Sequence, residues 1–223
     1  MMRFLPLVAL ALVATACNSG PPPIKETFIQ SRPRSILVLP PLDESIEAGA
    51  SWGALSTVTY PLAENGYYVF PAALVTGMMR ENGLPTPFEM HQVSLAKLYE
   101  VFGMDAVLYL TVTDWGTSYQ VLSSSTRISI EGRLVDARTG DLLWAGSETA
   151  VQSSGSGGSL IGSLIGAAVN QVATAINDPS RDIAAAANNN LLRGARRGWL
   201  YGPYHPQFDQ QLDELTGVAS NAP

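Results

Sequence analysis

Cys17 carries the only thiol in the 223-residue sequence, and its neighbours decide which chemistry that thiol can perform. A lone cysteine cannot form an internal disulfide, and it cannot build a thiolate zinc site without other ligands nearby. An apolar run over residues 4–14 precedes it, with Arg3 on the amino-terminal side. This run is shorter than the roughly 20 apolar residues that span a bilayer and is typical of a signal peptide. The residues immediately before the cysteine are small: Ala14, Thr15 and Ala16.

Small residues followed by a cysteine resemble the lipobox of bacterial lipoproteins. In those proteins diacylglycerol alkylates the cysteine sulfur, the chain is cleaved just before the cysteine, and the new amine is acylated. The resemblance implies a signal peptide over residues 1–16 and a covalent link to membrane lipid at Cys17. Two or three acyl chains hold a protein on a membrane, whereas one myristoyl chain gives only marginal binding. The alternative is an ordinary secretory signal cleaved near Ala16, which would leave an exposed thiol.

The residue after the cysteine, Asn18, bears on the membrane to which the protein is sorted. In lipoproteins of enteric-type bacteria an aspartate at this position tends to retain the protein at the inner membrane. Asparagine therefore favours the outer membrane, and we expect a lipid-anchored protein that faces the periplasm. Several prolines and little apolar periodicity predict that residues 17–34 form a flexible tether.

The composition favours a globular domain and argues against a nucleic-acid partner. Hydrophobic residues make up 46% of the chain, charged residues 14%, and the formal net charge is -6. Apart from a small group at Arg193, Arg196 and Arg197, the basic residues are scattered, so the surface potential opposes DNA and RNA. We expect one periplasmic domain over residues 35–206.

Strand and helix patterns alternate in the first half of this domain and predict an α/β fold with a βαβα start. Strands are expected over Ser35–Pro41 and Tyr67–Phe70. Helical spacing of apolar residues predicts a helix around 55–62, a second over Ala72–Asn82, and a single third helix over Phe88–Phe102.

Beyond residue 104 the pattern changes to an antiparallel strand meander, with helices packed on the sheet. Four strand-like runs are separated by short breaks at 115–116, 123–125 and 138–140. The Gly- and Ser-rich residues 152–159 are expected to form a flexible hinge before C-terminal helices over 160–193. The polar residues 207–223 predict a disordered tail.

The segment over 155–176 has one apolar helix face that needs a partner. Asn170 and Gln171 make membrane insertion costly, so docking on protein, including self-association into a homo-oligomer, is the other interpretation. The sequence leaves the choice between membrane and protein open. The apolar face comprises Leu160, Ile161, Leu164, Ile165, Val169, Val172 and Ile176.

An aromatic segment near the carboxyl end is the candidate partner-binding site. Its prolines stiffen the chain, so its rings could be presented to a partner with little loss of conformational entropy. Alternatively, the rings could cover an edge of the domain's own core. The candidate residues are Trp199, Tyr201, Gly202, Pro203, Tyr204, His205 and Pro206.

No motif in the sequence indicates a catalytic, cofactor or metal site. His91 and His205 are the only histidines, and no spaced cluster of metal-ligand residues accompanies them. The glycine-rich stretch 155–162 lacks the lysine of a phosphate-binding loop, and no G-x-S-x-G nucleophile motif occurs. We therefore expect no enzyme and no cofactor; an envelope hydrolase would require a histidine paired with a carboxylate in a cleft.

Six phrases, in order from Ser35 to Pro206, resemble one known family: SILVLPP, TYPLAENGYYVFP, KLYEVFGMDAVLYL, TDWGTSYQVLSSSTR, LVDARTGDLLW and LYGPYHP. They are similar to the Gram-negative outer-membrane lipoprotein family known from a meningococcal surface-lipoprotein vaccine candidate. That family is similar in fold to the amino-terminal domain of the Tol-Pal translocation protein and, distantly, to the curli-secretion lipoprotein. The resemblance implies an α/β sandwich and no particular reaction.

The relatives of that family suggest a role in envelope transport or secretion. We therefore expect a non-enzymatic interaction or assembly module that binds other envelope proteins or lipoproteins. A second hypothesis is a subunit of a secretion or export channel, which would require membrane-crossing strands of about 9–11 residues.

Overall fold

The computed structural model describes residues 24–120, 123–155, 180–194 and 197–217. Cys17, the predicted signal peptide and the predicted helix over 160–176 lie outside this part of the chain. Among the described residues, none of the helices is both long and apolar enough to cross a bilayer. The elements in chain order are α1 (Glu26–Ser31), β1 (Ser35–Val38), β2 (Leu42–Asp43), α2 (Ala50–Glu64), β3 (Tyr68–Val69), α3 (Ala72–Glu81), α4 (Pro87–His91), α5 (Leu95–Phe102), β4 (Ala106–Gln120), β5 (Ser123–Asp136), β6 (Leu142–Gly155), α6 (Ser180–Leu192) and α7 (Phe208–Thr216).

The strands form one six-stranded sheet in the order β3-β1-β4-β5-β6, with β2 pairing beside β1 on β4. β1 is parallel to β3 and β4, whereas β4, β5 and β6 are antiparallel. β1 and β2 follow one edge of β4 and are interrupted at Pro40 and Pro41, because proline has no N–H to continue the ladder. The predicted α/β domain with a βαβα start and an antiparallel meander is confirmed.

Helices cover both faces of the sheet because side chains alternate along its strands. On β1, Ile36 and Val38 belong to the larger core cluster, which also contains apolar residues of α2 and α6. Leu37 and Leu39 belong to a smaller cluster with residues of α3, α4 and α5. The two clusters share the sheet and together make one domain.

The segment before β1 is part of the folded domain. Phe28 of α1 is fully buried and meets Trp199 edge to face, with ring centroids 5.8 Å apart. Ser31 Oγ donates a hydrogen bond to the carboxylate of Asp136 at the end of β5. The prediction of a flexible tether over 17–34 is therefore wrong for residues 24–34. Phe28 holds this segment on the core, and a single aromatic residue does not produce the apolar periodicity from which a helix is predicted.

The carboxylate of Asp136 has a lowered pKa. Desolvation by burial acts to raise it, but the hydrogen bond from Ser31 and those from the backbone N–H groups of Thr139 and Arg138 stabilise the ionised form and lower the pKa below its ordinary value. Asp136 thus ties α1 and the β5–β6 turn to the same point of the sheet.

The meander consists of three long strands rather than the four shorter ones that we predicted. Trp115 and Gly116 lie inside β4, at the position where we predicted a break. Trp115 packs on Gly53 of α2, and this contact with the helix stabilises a continuous strand there. Residues 123–125 pair within β5. β6 runs to Gly155, so the predicted hinge is wrong for residues 152–155, and residues 156–159 lie outside the described part.

The predicted single helix over Phe88–Phe102 is two helices, α4 and α5. Thr86 and Glu89 form a capping box at the start of α4. Ser94 caps α5 by accepting a hydrogen bond from the backbone N–H of Lys97. These caps satisfy helix-end donors locally, which favours two short helices over one long helix.

The predicted disordered tail over 207–223 is wrong for residues 208–216, which form α7. Gln211 on this helix is buried and accepts a hydrogen bond from the backbone N–H of Tyr201 at 2.6 Å. Its own amide donates to the carbonyl of Trp199 at 3.4 Å. Gln211, together with Phe208 packed on the core cluster, thus holds a helix whose sequence is largely polar.

Candidate partner-binding groove

A groove of about 1170 Å³ lies where α2 and α3 meet beside β3. Its α2 wall includes Trp52, Ser56 and Tyr60, which are spaced at one helical turn and therefore share a face. The opposite face of α2 contains Ala54, Val58 and Leu62, which are fully buried in the core. The amphipathic pattern of α2 thus presents aromatic and hydroxyl groups to the groove.

The α3 wall is built from small residues, which leave the groove open. Ala72, Ala73, Thr76, Gly77 and Arg80 line it and lie on one face of the helix. A Cβ placed on Gly77 would meet no other atom within 4 Å. The groove is therefore open on this side because the α3 residues that face it, apart from Arg80, have small side chains or none.

Aromatic side chains at the sheet edge complete the groove. The rings of Tyr68 and Phe70 meet edge to face at 5.2 Å between centroids. Tyr60 is 58% exposed and Tyr68 is 51% exposed. Partly exposed tyrosines that are already packed against neighbours offer contact area at low entropic cost, as at protein-binding hot spots.

The groove also contains two polar groups, the guanidinium of Arg80 and the hydroxyl of Thr76, that form no hydrogen bond or ion pair with the described residues. The guanidinium of Arg80 lies 4.7 Å from the ring centroid of Trp52, a cation–π contact. Across the described residues, no carboxylate forms an ion pair with Arg80. Thr76 is only 8% exposed, and its hydroxyl has no hydrogen-bond partner among the described residues.

Two residues of the aromatic segment predicted from the sequence lie inside the domain. Trp199 is fully buried and its ring contacts those of Phe28, Tyr67 and Trp144. Gly202 is buried against the carbonyl of Gly66, to which an added Cβ would come too close. These two candidate residues are thus placed in the core, where a partner cannot reach them.

The rest of that segment lies at the surface and is tied to the turn after α2. Gly202 N–H donates to the carbonyl of Asn65 at 2.7 Å, and Tyr204 N–H donates to that of Gly66 at 3.1 Å. Tyr201 and His205 stack on each other with ring centroids 3.8 Å apart. Among the predicted candidates, Tyr204 and Pro206 are exposed, while Tyr201, Pro203 and His205 are half-buried.

Tyr67 connects this segment to the groove. Its ring lines the groove and contacts Trp199, and its hydroxyl donates to the carbonyl of Leu200. Burial raises the pKa of the Tyr67 phenol well above its ordinary value, so the hydroxyl remains a donor. The aromatic segment therefore supports the groove from behind.

Neither histidine is placed as a general base. Desolvation by burial lowers the pKa of His91, whose Nε2 lies 2.9 Å from the carbonyl oxygen of Pro40. The Nδ1 of His205 accepts a hydrogen bond from the backbone N–H of Gln207 at 3.1 Å. Among the described residues, neither ring is hydrogen-bonded to a carboxylate, and no group of three metal-ligand side chains converges.

Residues 26–204 match the model of the GNA1162-like lipoprotein family. The chain belongs to this family. The lipoprotein NMB1124/NMB1162 of Neisseria meningitidis serogroup B is 44% identical over 196 residues, which are 87% of this chain and 91% of that protein. The resemblance inferred from the six phrases is thereby confirmed. The names of family and relative indicate a lipoprotein and no enzyme family.

One solved structure supports the fold, and a second is a more distant likeness. The crystal structure of lipoprotein GNA1162 from Neisseria meningitidis is 49% identical and covers 64% of this chain and 99% of that chain, with a TM-score of 0.53. The PelC dodecamer from Paraburkholderia phytofirmans is 13% identical and covers 78% of this chain and 92% of that chain, with a TM-score of 0.41. The second likeness is too distant to carry a functional argument.

The sequence interpretation missed Trp52, Thr76 and Arg80. The signal that could have found the last two is their spacing of four residues on α3, beside the small residues Ala73 and Gly77. Such a face is neither an apolar core stripe nor a charged solvent face. A helix face of this composition predicts the wall of a groove and not a contact with the core.

Proposed function

We propose that the protein is an outer-membrane lipoprotein, anchored through acyl chains on Cys17 and facing the periplasm, whose α/β domain binds other envelope proteins during transport or secretion. The observation that carries the proposal is the aromatic groove between α2, β3 and α3. It combines exposed tyrosines with a cation and a hydroxyl that form no ion pair or hydrogen bond with the described residues. Family membership supports the lipid anchor.

A short link between lipid and domain supports a role at the membrane surface. Ile24, where the described part of the domain begins, follows Cys17 by seven positions. Fully extended, seven residues span at most about 25 Å. Anchoring would therefore hold the groove in a thin layer beside other envelope proteins, which raises the effective concentration of partner and groove.

The channel hypothesis gains less support from the fold. β4 and β5 contain 15 and 14 residues, long enough to cross a membrane. However, Trp115 of β4 and its pairing partner Ile128 of β5 are buried in the core cluster that also contains residues of α2. Strands that pack on their own domain are not free to enter a bilayer, so we favour the binding module.

Metabolic labelling with palmitate tests the anchor. We expect the wild-type protein to incorporate the label and to sediment with the outer membrane. A Cys17→Ser variant should remain unlabelled, because serine offers no thiol for diacylglycerol transfer. An unlabelled wild-type protein in the soluble periplasmic fraction would contradict the proposed placement.

A further inference from the structure

We infer that the groove takes an extended peptide segment, which adds as a strand to the outer edge of β3 and places a carboxylate on Arg80. The inference rests on the proposed partner-binding function and names the chemistry of the partner. Three independent features of the groove carry it: the backbone of β3, the charge of Arg80 and the hydroxyl of Thr76.

Among the described residues, no strand pairs with the outer edge of β3, which lines the groove. β3 is the first strand in the order of the sheet, and its inner side pairs in parallel with β1. The N–H groups of Tyr68 and Phe70 donate to the carbonyls of Arg34 and Ile36 at 2.9 and 3.2 Å. Since hydrogen-bonding groups alternate along a strand, Val69 turns its N–H and C=O away from β1. An added strand would pair with these groups.

The charge of the groove selects an anionic ligand. Of the described residues that line it, Arg80 is the only one with a charged side chain. Stacking on Trp52 holds the guanidinium in place and leaves its N–H edges available. A carboxylate is the side chain that matches this planar donor by paired hydrogen bonds.

The hydroxyl of Thr76 fixes a second polar contact one helical turn from Arg80. A turn of helix rises about 5.4 Å, close to the spacing of about 6.6 Å between alternate residues of a strand. Alternate residues of an extended peptide therefore match the spacing of Thr76 and Arg80 along α3, where Thr76 Oγ1 itself is enclosed in the free protein. An acyl chain or an apolar helix would bury the guanidinium of Arg80 without a carboxylate partner, at a cost in free energy.

Peptide selection on the mature lipidated protein in detergent micelles tests the inference. Phage-displayed random heptapeptides would be panned against the wild type, Arg80→Glu and Gly77→Leu. We expect the wild type to enrich peptides with Asp or Glu among β-branched and aromatic residues. Arg80→Glu should enrich basic peptides instead, and Gly77→Leu, which fills the groove, should enrich none. No enrichment by the wild type, or enrichment that Arg80→Glu leaves unchanged, would overturn the inference.

Hydrogen exchange tests the strand addition itself. Binding of the enriched peptides should slow exchange of the Val69 amide at least tenfold, whereas peptide binding with unchanged exchange at Val69 would overturn the inference. Arg133→Glu, a charge reversal on the outer face of β5, is the matched control and should select the same acidic peptides as the wild type. If groove-specific crosslinks to an envelope protein form while Val69 remains unprotected, the strand mode fails and the proposed function stands.

Discussion

Replacing the buried hydroxyl of Thr76 by a methyl group should stabilise the domain. Thr76→Val keeps the shape and β-branching of the side chain, so helix propensity and packing change little. The hydroxyl is buried and unpaired in the free protein. An unpaired buried polar group costs about 1–3 kcal/mol, so the free energy of unfolding should rise by about 1 kcal/mol, or roughly 2–4 °C in Tm.

Thr57→Val on α2 is the matched control, with an effect of the opposite sign. Thr57 Oγ1 accepts a hydrogen bond from the amide of Asn188 at 2.8 Å and donates to the carbonyl of Ala54 at 3.2 Å. Asn188 is fully buried, so the same change there removes one of the two acceptors of its amide nitrogen and leaves only the carbonyl of Ala54 at 3.0 Å. We expect a loss of about 1–2 kcal/mol.

Urea unfolding followed by tryptophan fluorescence measures both variants, since Trp199 and Trp144 are buried. The midpoints should move in opposite directions while the slopes remain equal. If Thr76→Val destabilises the domain as Thr57→Val does, the Thr76 hydroxyl is satisfied in the free protein. The hydroxyl would then have no unmet hydrogen bond for a ligand to satisfy.

Two further substitutions test the packing and the electrostatics of the domain. Gly202→Ala should lower the free energy of unfolding by at least about 2 kcal/mol, because its Cβ would collide with the carbonyl of Gly66. Gly77→Ala places its Cβ in open space and should raise the free energy of unfolding by about 0.5–1 kcal/mol. Thermal unfolding compares the two variants. The lowered pKa of Asp136 contributes stability that is present above the unfolded-state pKa of about 3.8 and is lost as pH falls through the folded-state pKa. Asp136→Asn should therefore flatten the loss of stability below pH 4 in urea titrations at several pH values, and an unchanged acid limb would contradict this assignment.

The parts of the fold that local pattern determines were predictable from the sequence. The apolar run at Ser35 and the prolines after it gave a strand with the correct start, and the spacing of Leu55, Val58 and Leu62 gave the core face of α2. Tertiary contacts determined what the pattern missed. Trp115 packing on Gly53 carried β4 through its predicted break.

The candidate site depends on topology more than on any motif. The sequence shows that Tyr68 lies on a strand but does not show that this strand is at the sheet edge. Likewise, Trp199 belongs to an aromatic cluster in the sequence, yet only the fold places it beneath α1. An exposed binding surface and a buried core edge have the same aromatic composition, which is why the two interpretations remained open.

Site-specific photo-crosslinking in intact cell envelopes tests most directly the claim that the groove binds partner proteins. A benzophenone side chain would replace Tyr60, which is 58% exposed in the groove, and Val151, which is 49% exposed on β6, in separate proteins. We predict a discrete adduct with an envelope protein from position 60. Gly77→Leu should abolish this adduct, whereas Gly116→Leu, which adds the same side chain in open space on β4, should not. An adduct from position 151 alone, or one from position 60 that persists in Gly77→Leu, would contradict the account.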